Sequence, residues 1–207
     1  MTTAVKICGI TRISDALAAA RFGAHALGFV FCAASPRNLP PARAAEIVRS
    51  LPPFITVVGL FVNPDAREVE RVLAQVPLNL LQFHGEETPE FCGRFGAPYL
   101  KAARIRAGLD LLQYAQHYGA ARGLLLDAFV DGAHGGTGTA FDWSLIPREL
   151  PLPVVLSGGL DQTNVGAAIA RVRPCAVDVS SGVEESPGIK DARKIAAFMK
   201  EVRSANV

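Results

Sequence analysis

Eight short aliphatic or β-branched runs recur along the chain at intervals of about 26 residues, and each is followed by a longer, Ala-rich amphipathic stretch. The runs are Val5–Ile10, Ala26–Phe31, Ile55–Val62, Leu78–Phe83, Pro98–Ala102, Gly123–Asp127, Val154–Ser157 and Ala176–Ser180. Several are almost wholly apolar where a half-exposed strand would alternate, the pattern of strands covered on both faces of a parallel sheet. This rhythm predicts an α/β fold, a single (β/α)8 TIM barrel spanning 1–207, close to the ~200-residue floor of that architecture. An open doubly wound sheet is the alternative. The unit count disfavours it, as does the lack of a GxGxxG after the first run. Helix starts are read at Asn63-Pro64 and Thr88-Pro89, each an N-cap followed by proline, and at Asp161 as a cap for the helix after Gly159.

Composition narrows the function. With 50% hydrophobic and 19% charged residues the chain can bury a core without a disulfide or metal staple. A formal net charge of +2 gives no bulk footprint for nucleic acid or an anionic membrane, which leaves a small molecule as the expected partner. The longest apolar stretch, Phe54 to Val62, is less than half the roughly 20 residues a membrane helix requires. Cys8, Cys32, Cys92 and Cys175 form no CxxC pair and the N-terminus has no signal pattern, so a reduced, cytoplasmic protein is expected. Monomer and homodimer both stay open.

Strand alternation then places polar groups. If Val5 and Ile7 face the helices, Lys6 and Cys8 point into the barrel. By the same rule Gln82 and His84 point inward on the fourth strand, Asp127 at the end of the sixth, and Asp178 and Ser180 on the eighth. Burying these groups without partners would cost several kcal/mol in all, so a ligand site at the C-terminal mouth is the economical explanation. Taken singly, Cys8 reads more readily as a small buried hydrophobe than as a catalyst, and Lys6 equally as a side chain snorkelling to solvent. The histidines His25, His84, His117 and His134 show no HxH or HExxH spacing, so no metal site is expected, and of the four only His84 is placed to touch a ligand.

Glycines follow the last two strands, in Ser157-Gly158-Gly159-Leu160 and Ser180-Ser181-Gly182-Val183. Backbone N–H groups of such loops form phosphate pockets in barrels of this kind, which predicts a phosphorylated ligand. Gly135-Gly136-Thr137-Gly138 lacks the Lys-Ser/Thr ending of a P-loop and reads as a loop over the mouth.

From end to end the chain resembles the phosphoribosylanthranilate isomerase family of tryptophan biosynthesis. The resemblance rests on Lys6-Ile7-Cys8-Gly9-Ile10-Thr11, Gly28-Phe29-Val30-Phe31 with Ser35-Pro36-Arg37, and Leu81-Gln82-Phe83-His84-Gly85. It continues through Leu125-Leu126-Asp127-Ala128, Gly135-Gly136-Thr137-Gly138, Phe141-Asp142-Trp143, Gly158-Gly159-Leu160 with Asn164-Val165, and Asp178-Val179-Ser180-Ser181-Gly182-Val183-Glu184. It implies an Amadori rearrangement without a cofactor, with Asp127 as general acid and Cys8 as general base. It further implies Arg37 on the anthranilate carboxylate, Asp178 near the amine and ribose, and phosphate on Gly159, Ser181 and Gly182. Lys6, if close, is expected to lower the Cys8 pKa. Ala34 and Asn38 flank Ser35-Pro36-Arg37 where the family commonly has lysine and tyrosine, a departure that bears on loop closure. Other phosphosugar barrels, and a catalytically silent barrel that binds a phosphorylated metabolite, are the alternatives.

Overall fold

The computed structural model describes residues 2–106, 108–128 and 142–205. Eight parallel strands close into a barrel in chain order: β1 (Ala4–Cys8), β2 (Ala26–Val30), β3 (Thr56–Phe61), β4 (Leu80–Phe83), β5 (Tyr99–Ile105), β6 (Gly123–Ala128), β7 (Val154–Leu156) and β8 (Ala176–Val179). Each of the eight apolar runs supplies one strand. Helices α1 (Ile13–Phe22), α2 (Pro41–Arg49), α3 (Ala66–Leu73), α4 (Pro89–Gly93) and α5 (Leu111–His117) follow the first five strands, and α6 (Val165–Val172) and α7 (Ala192–Ala205) belong to the last two. After β6 the described residues hold only a 3-10 turn at Trp143–Leu145, not the α-helix that a regular repeat predicts. The segment Gly135-Gly136-Thr137-Gly138, with His134 and Phe141, lies outside the described residues. Among those described, no helix is long and apolar enough to cross a membrane.

The alternation works as expected. Val5, Ile7, Leu81, Phe83, Leu124, Leu126, Val177 and Val179 all join the large layer between barrel and helices. Inside the barrel a small plug of Leu100, Ala102, Leu125 and Val155 fills the base, while Cys8, Val30 and Leu60 pack nearer the mouth. β1 stops at Cys8, short of the predicted Ile10, because Gly9 turns into the left-handed region at φ 76°.

Two predicted caps are corrected. Asn63 does not start α3: the N-cap is Asp65, whose carboxylate accepts from the Glu68 N–H, and Asn63, at φ 46°, instead accepts from the Glu86 N–H. Its short amide tolerates that backbone and ties the β3 loop to the β4 loop. Asp161 accepts from the N–H and hydroxyl of Thr163 and so shapes the turn before α6, whose N-cap position is Asn164. Thr88 does cap α4, with Pro89 in its first turn.

One element has no counterpart in the expected repeat. After β8 the chain forms a two-stranded antiparallel hairpin, β9 (Glu184–Ser186) with β10 (Ile189–Lys190).

Candidate active site

The mouth is built from strand register. Lys6 and Asp178 are direct partners on adjacent strands β1 and β8 and both face inward, so ammonium and carboxylate meet at 2.9 Å with both side chains almost fully buried. Lys6 therefore does not snorkel to solvent. Cys8, two residues further along β1, points the same way and is buried at the lip. Beside it in register stands Gly28, where a Cβ would lie 2.8 Å from the Cys8 sulfur and 3.1 Å from Lys6 Cε. Only glycine at that point leaves both side chains their room.

Burial is the largest influence on Cys8 and pushes its thiol pKa up; Lys6 pulls it down, Asp178 pushes it up again, and the balance is upward. Lys6 therefore acts in the expected direction, but the expectation of a net lowering is corrected, because burial outweighs it. The ammonium is close, but Asp178 already neutralises it, and what is left does not repay desolvation of a thiolate. For Lys6, burial disfavours the charge, but Asp178 and then Cys8 outweigh it and hold the pKa above its ordinary value.

Across the barrel, Asp127 ends a hydrogen-bonded chain of three buried side chains. The Gln82 amide Nε2 lies 3.1 Å from His84 Nδ1 and, being an N–H, donates to it; the ring proton then sits on Nε2, 3.0 Å from Asp127 Oδ2. The other carboxylate oxygen accepts from the Ala128 N–H at 2.9 Å. The turn that carries His84 is held from below by Lys101, fully buried, which donates to the Gly85 carbonyl and pairs with Glu87 at 3.0 Å, while Glu87 accepts from the Gly85 N–H. Sequence reasoning passed over Lys101 and Glu87, because a lysine in an apolar strand and a glutamate in a loop carry no spacing signal.

Arg37 arrives on the loop after β2, and its guanidinium grips Glu184 side-on, Nε to Oε1 at 2.8 Å and Nη2 to Oε2 at 2.7 Å. The end-on edge, Nη1 with the second Nη2 proton, is the face that can receive another carboxylate. Glu184 also binds Lys190 at 2.8 Å, and Lys190 donates to the carbonyl and hydroxyl of Ser180. Burial alone would raise the Glu184 carboxyl, but Arg37 and Lys190 bring it below the usual carboxylate range. Burial pushes the Lys190 ammonium down, and Glu184 only partly offsets this. Neither Glu184 nor Lys190 was singled out from the sequence. Glu184 closes a quoted motif, but its partner Arg37 lies 147 residues away.

The loops after β7 and β8 line a small open cleft, walled by Asp127, Gly158, Gly159, Asp178, Ser180 and Ser181. Gly158 and Gly159 take φ 86° and 62°, values only glycine adopts cheaply. A Cβ on Gly158 would also press on the Asp127 carboxylate, and one on Gly182 would run into the Leu160 carbonyl oxygen. The predicted residues Lys6, Cys8, Gln82, His84, Asp127, Asp178, Ser180 and the two glycine loops thus all gather at one end of the barrel. His25 is elsewhere, accepting from the Val5 N–H through Nδ1, and His117 stacks edge-on against Tyr118 at the end of α5.

Residues 5–201 match the family model described as N-(5'-phosphoribosyl)anthranilate (PRA) isomerase. The N-(5'-phosphoribosyl)anthranilate isomerase of Nitrosospira multiformis is 60% identical over 202 residues, 98% of this chain and 97% of the relative. The crystal structure of phosphoribosyl anthranilate isomerase from Thermotoga maritima superposes with a TM-score of 0.89 at 42% identity, covering 98% of this chain and 100% of that one. A phosphoribosyl anthranilate isomerase in complex with reduced 1-(o-carboxyphenylamino)-1-deoxyribulose 5-phosphate gives 0.85 at 41% identity, with the same coverage.

Proposed function

The chain belongs to the phosphoribosylanthranilate isomerase family, and from that premise we propose that its barrel mouth converts N-(5-phosphoribosyl)anthranilate to 1-(2-carboxyphenylamino)-1-deoxyribulose 5-phosphate. The observation that carries this reading is the placement of Cys8 on β1 and Asp127 on β6, across one mouth from each other, with the glycine cleft adjoining Asp127.

The chemistry needs an acid and a base on either side of a sugar. Asp127, carrying a proton, gives it to the ribose ring oxygen; the C1'–O bond breaks and the nitrogen lone pair forms a Schiff base at C1'. Cys8, as thiolate, removes the proton from C2', and the electron pair moves to the iminium to give an enolamine. Tautomerisation places a proton on C1' and leaves a ketone at C2', so C2' is oxidised as C1' is reduced and no outside oxidant is required. His84 holds Asp127 through Nε2, and Gln82 holds His84. Asp178, within 2.9 Å of Lys6 and on the wall of the cleft, lies where the substrate amine and ribose would pass. The phosphate belongs on Gly159, Ser181 and Gly182, at the small cleft between the β7 and β8 loops, where a Cβ on Gly182 would run into the Leu160 carbonyl. Four free cysteines fit a reducing compartment, in support of a cytoplasmic location.

The test is the decay of substrate fluorescence, with substrate generated in situ and chelator present. Decay well above the spontaneous background supports the reading, and its absence from folded protein overturns it. For Arg37, replacement by alanine is expected to raise KM roughly tenfold or more with little change in kcat, because a charge-assisted bidentate contact to the substrate carboxylate is lost. An unchanged KM would reassign this arginine.

The opposite end of the barrel carries a candidate contact for a second copy. Phe54, between α2 and β3, is 99% exposed on a left-handed backbone at φ 70°. A non-glycine residue in that region costs of order 1–3 kcal/mol, and full exposure of the ring adds nothing to offset it in a monomer. A second copy seated on this ring would bury it, and sedimentation of the wild type against Phe54→Asp tests the contact: a dimer lost in the variant supports it, and a monomeric wild type removes it.

A further inference from the structure

We infer that Lys190 is a positioning and specificity residue for the substrate carboxylate, acting through Glu184 on Arg37 as the source of a surplus positive charge among the described buried groups there. The inference rests on the reading that Arg37 receives that carboxylate. Its own ground is the charge count of the buried groups. Lys6 balances Asp178 inside the barrel, and the buried Asp15 is balanced by Arg12, which is itself partly exposed. What remains at this side of the mouth is Arg37, Glu184 and Lys190, two cations to one anion, with side-chain exposures of 11%, 5% and 0%. Lys194 donates to the Glu184 backbone carbonyl, 2.7 Å away, but is only part-buried and so lies outside this buried trio.

A buried charge without a counter-ion is expensive, and one carboxylate arriving at the end-on edge of Arg37 brings the trio of Arg37, Glu184 and Lys190 to neutrality. Without Lys190, Arg37 and Glu184 would cancel each other, and an incoming carboxylate would face a neutral pair whose anion repels it. The device is also rigid. Glu184 and Lys190 are register partners across the β9–β10 hairpin. The hairpin is pinned to the β1 side by the Thr11 hydroxyl on the Gly188 carbonyl and by the Lys190 N–H on Asp15, 2.9 Å. Ser180, two residues beyond β8's inward Asp178, accepts the same ammonium through its hydroxyl and carbonyl, which fixes the lysine between the hairpin and the phosphate-side loop.

The experiment compares the binding of two probes by titration calorimetry: reduced 1-(o-carboxyphenylamino)-1-deoxyribulose 5-phosphate and its counterpart lacking the ring carboxyl. The wild type is expected to prefer the carboxylated probe by roughly tenfold or more. Lys190→Met should reduce that preference to within about twofold while leaving the affinity for the carboxyl-free probe unchanged, and in turnover should raise KM with kcat nearly constant. Lys190→Gln, which loses the charge but keeps a hydrogen-bonding end, should behave as Lys190→Met does and guards against a folding defect; Lys190→Arg should restore the preference. Equal weakening of both probes would make Lys190 a structural residue, and an undiminished preference would remove it from recognition; either overturns the inference while Arg37 keeps its role. A wild type that binds both probes alike would overturn the Arg37 reading itself, and this inference with it.

Discussion

Cys8→Ala is expected to lower kcat by roughly 10²- to 10⁴-fold, the usual worth of a positioned general base, with KM close to that of the wild type. The alanine fits, since Cys8 packs among Val30 and Leu60 with Gly28 alongside, and Lys6 keeps its pair with Asp178. The same experiment has a pH arm. Burial pushes the Cys8 thiol up and Lys6 does not fully reverse it, so the free enzyme holds mostly thiol at neutral pH. A base must be deprotonated to act, and kcat/KM should therefore climb as pH rises above neutral. A profile flat through that range, or a variant with near-normal turnover, would take Cys8 out of the proton transfer.

Asp127→Asn should cost a similar factor for a different reason. The amide has nearly the shape of the carboxyl group, its oxygen can still accept from the Ala128 N–H or from His84, and the three-residue chain from Gln82 stays in place. It has no acidic proton to give to the ring oxygen, so ring opening falls back on water. The expected result is a loss of roughly 10²- to 10⁴-fold in kcat with retained affinity for the reduced product probe. Loss of binding in step with turnover would show that Asp127 holds the substrate and is not its acid. Because the two groups serve consecutive steps on opposite sides of one sugar, the double variant should be little slower than the worse single one.

Much of this was legible in one dimension for a physical reason. A parallel barrel buries its strands on both faces, so each strand is forced to be a short apolar run, and a polar residue within it has to face the mouth or be paired. That rule alone put Lys6, Cys8, Gln82, His84, Asp127, Asp178 and Ser180 inside, and the structure gathers them there. Glycines at 158, 159 and 182 were equally readable: the first two sit on a left-handed backbone that glycine adopts without strain, and a Cβ on the third would run into the Leu160 carbonyl. The two mistaken caps, Asn63 and Asp161, show the limit at its smallest scale. Both residues do bind backbone or side-chain partners, but the loop contact across to Glu86 and the turn at Thr163 won over the helix end that local propensity favours.

What the sequence determined by itself was the barrel, the inward set and, through ordered motifs, the family. What only the tertiary structure decided was electrostatic: which charges pair. Lys6 with Asp178 joins residues 172 apart, Arg37 with Glu184 residues 147 apart, and Lys101 takes up a partner that no spacing announces. A pKa depends on burial and on neighbours within a few ångströms, so the sequence could name Lys6 as a neighbour of Cys8 but not discover that Asp178 had already claimed its charge. Strand order and register set those distances, and they exist only once the barrel has closed.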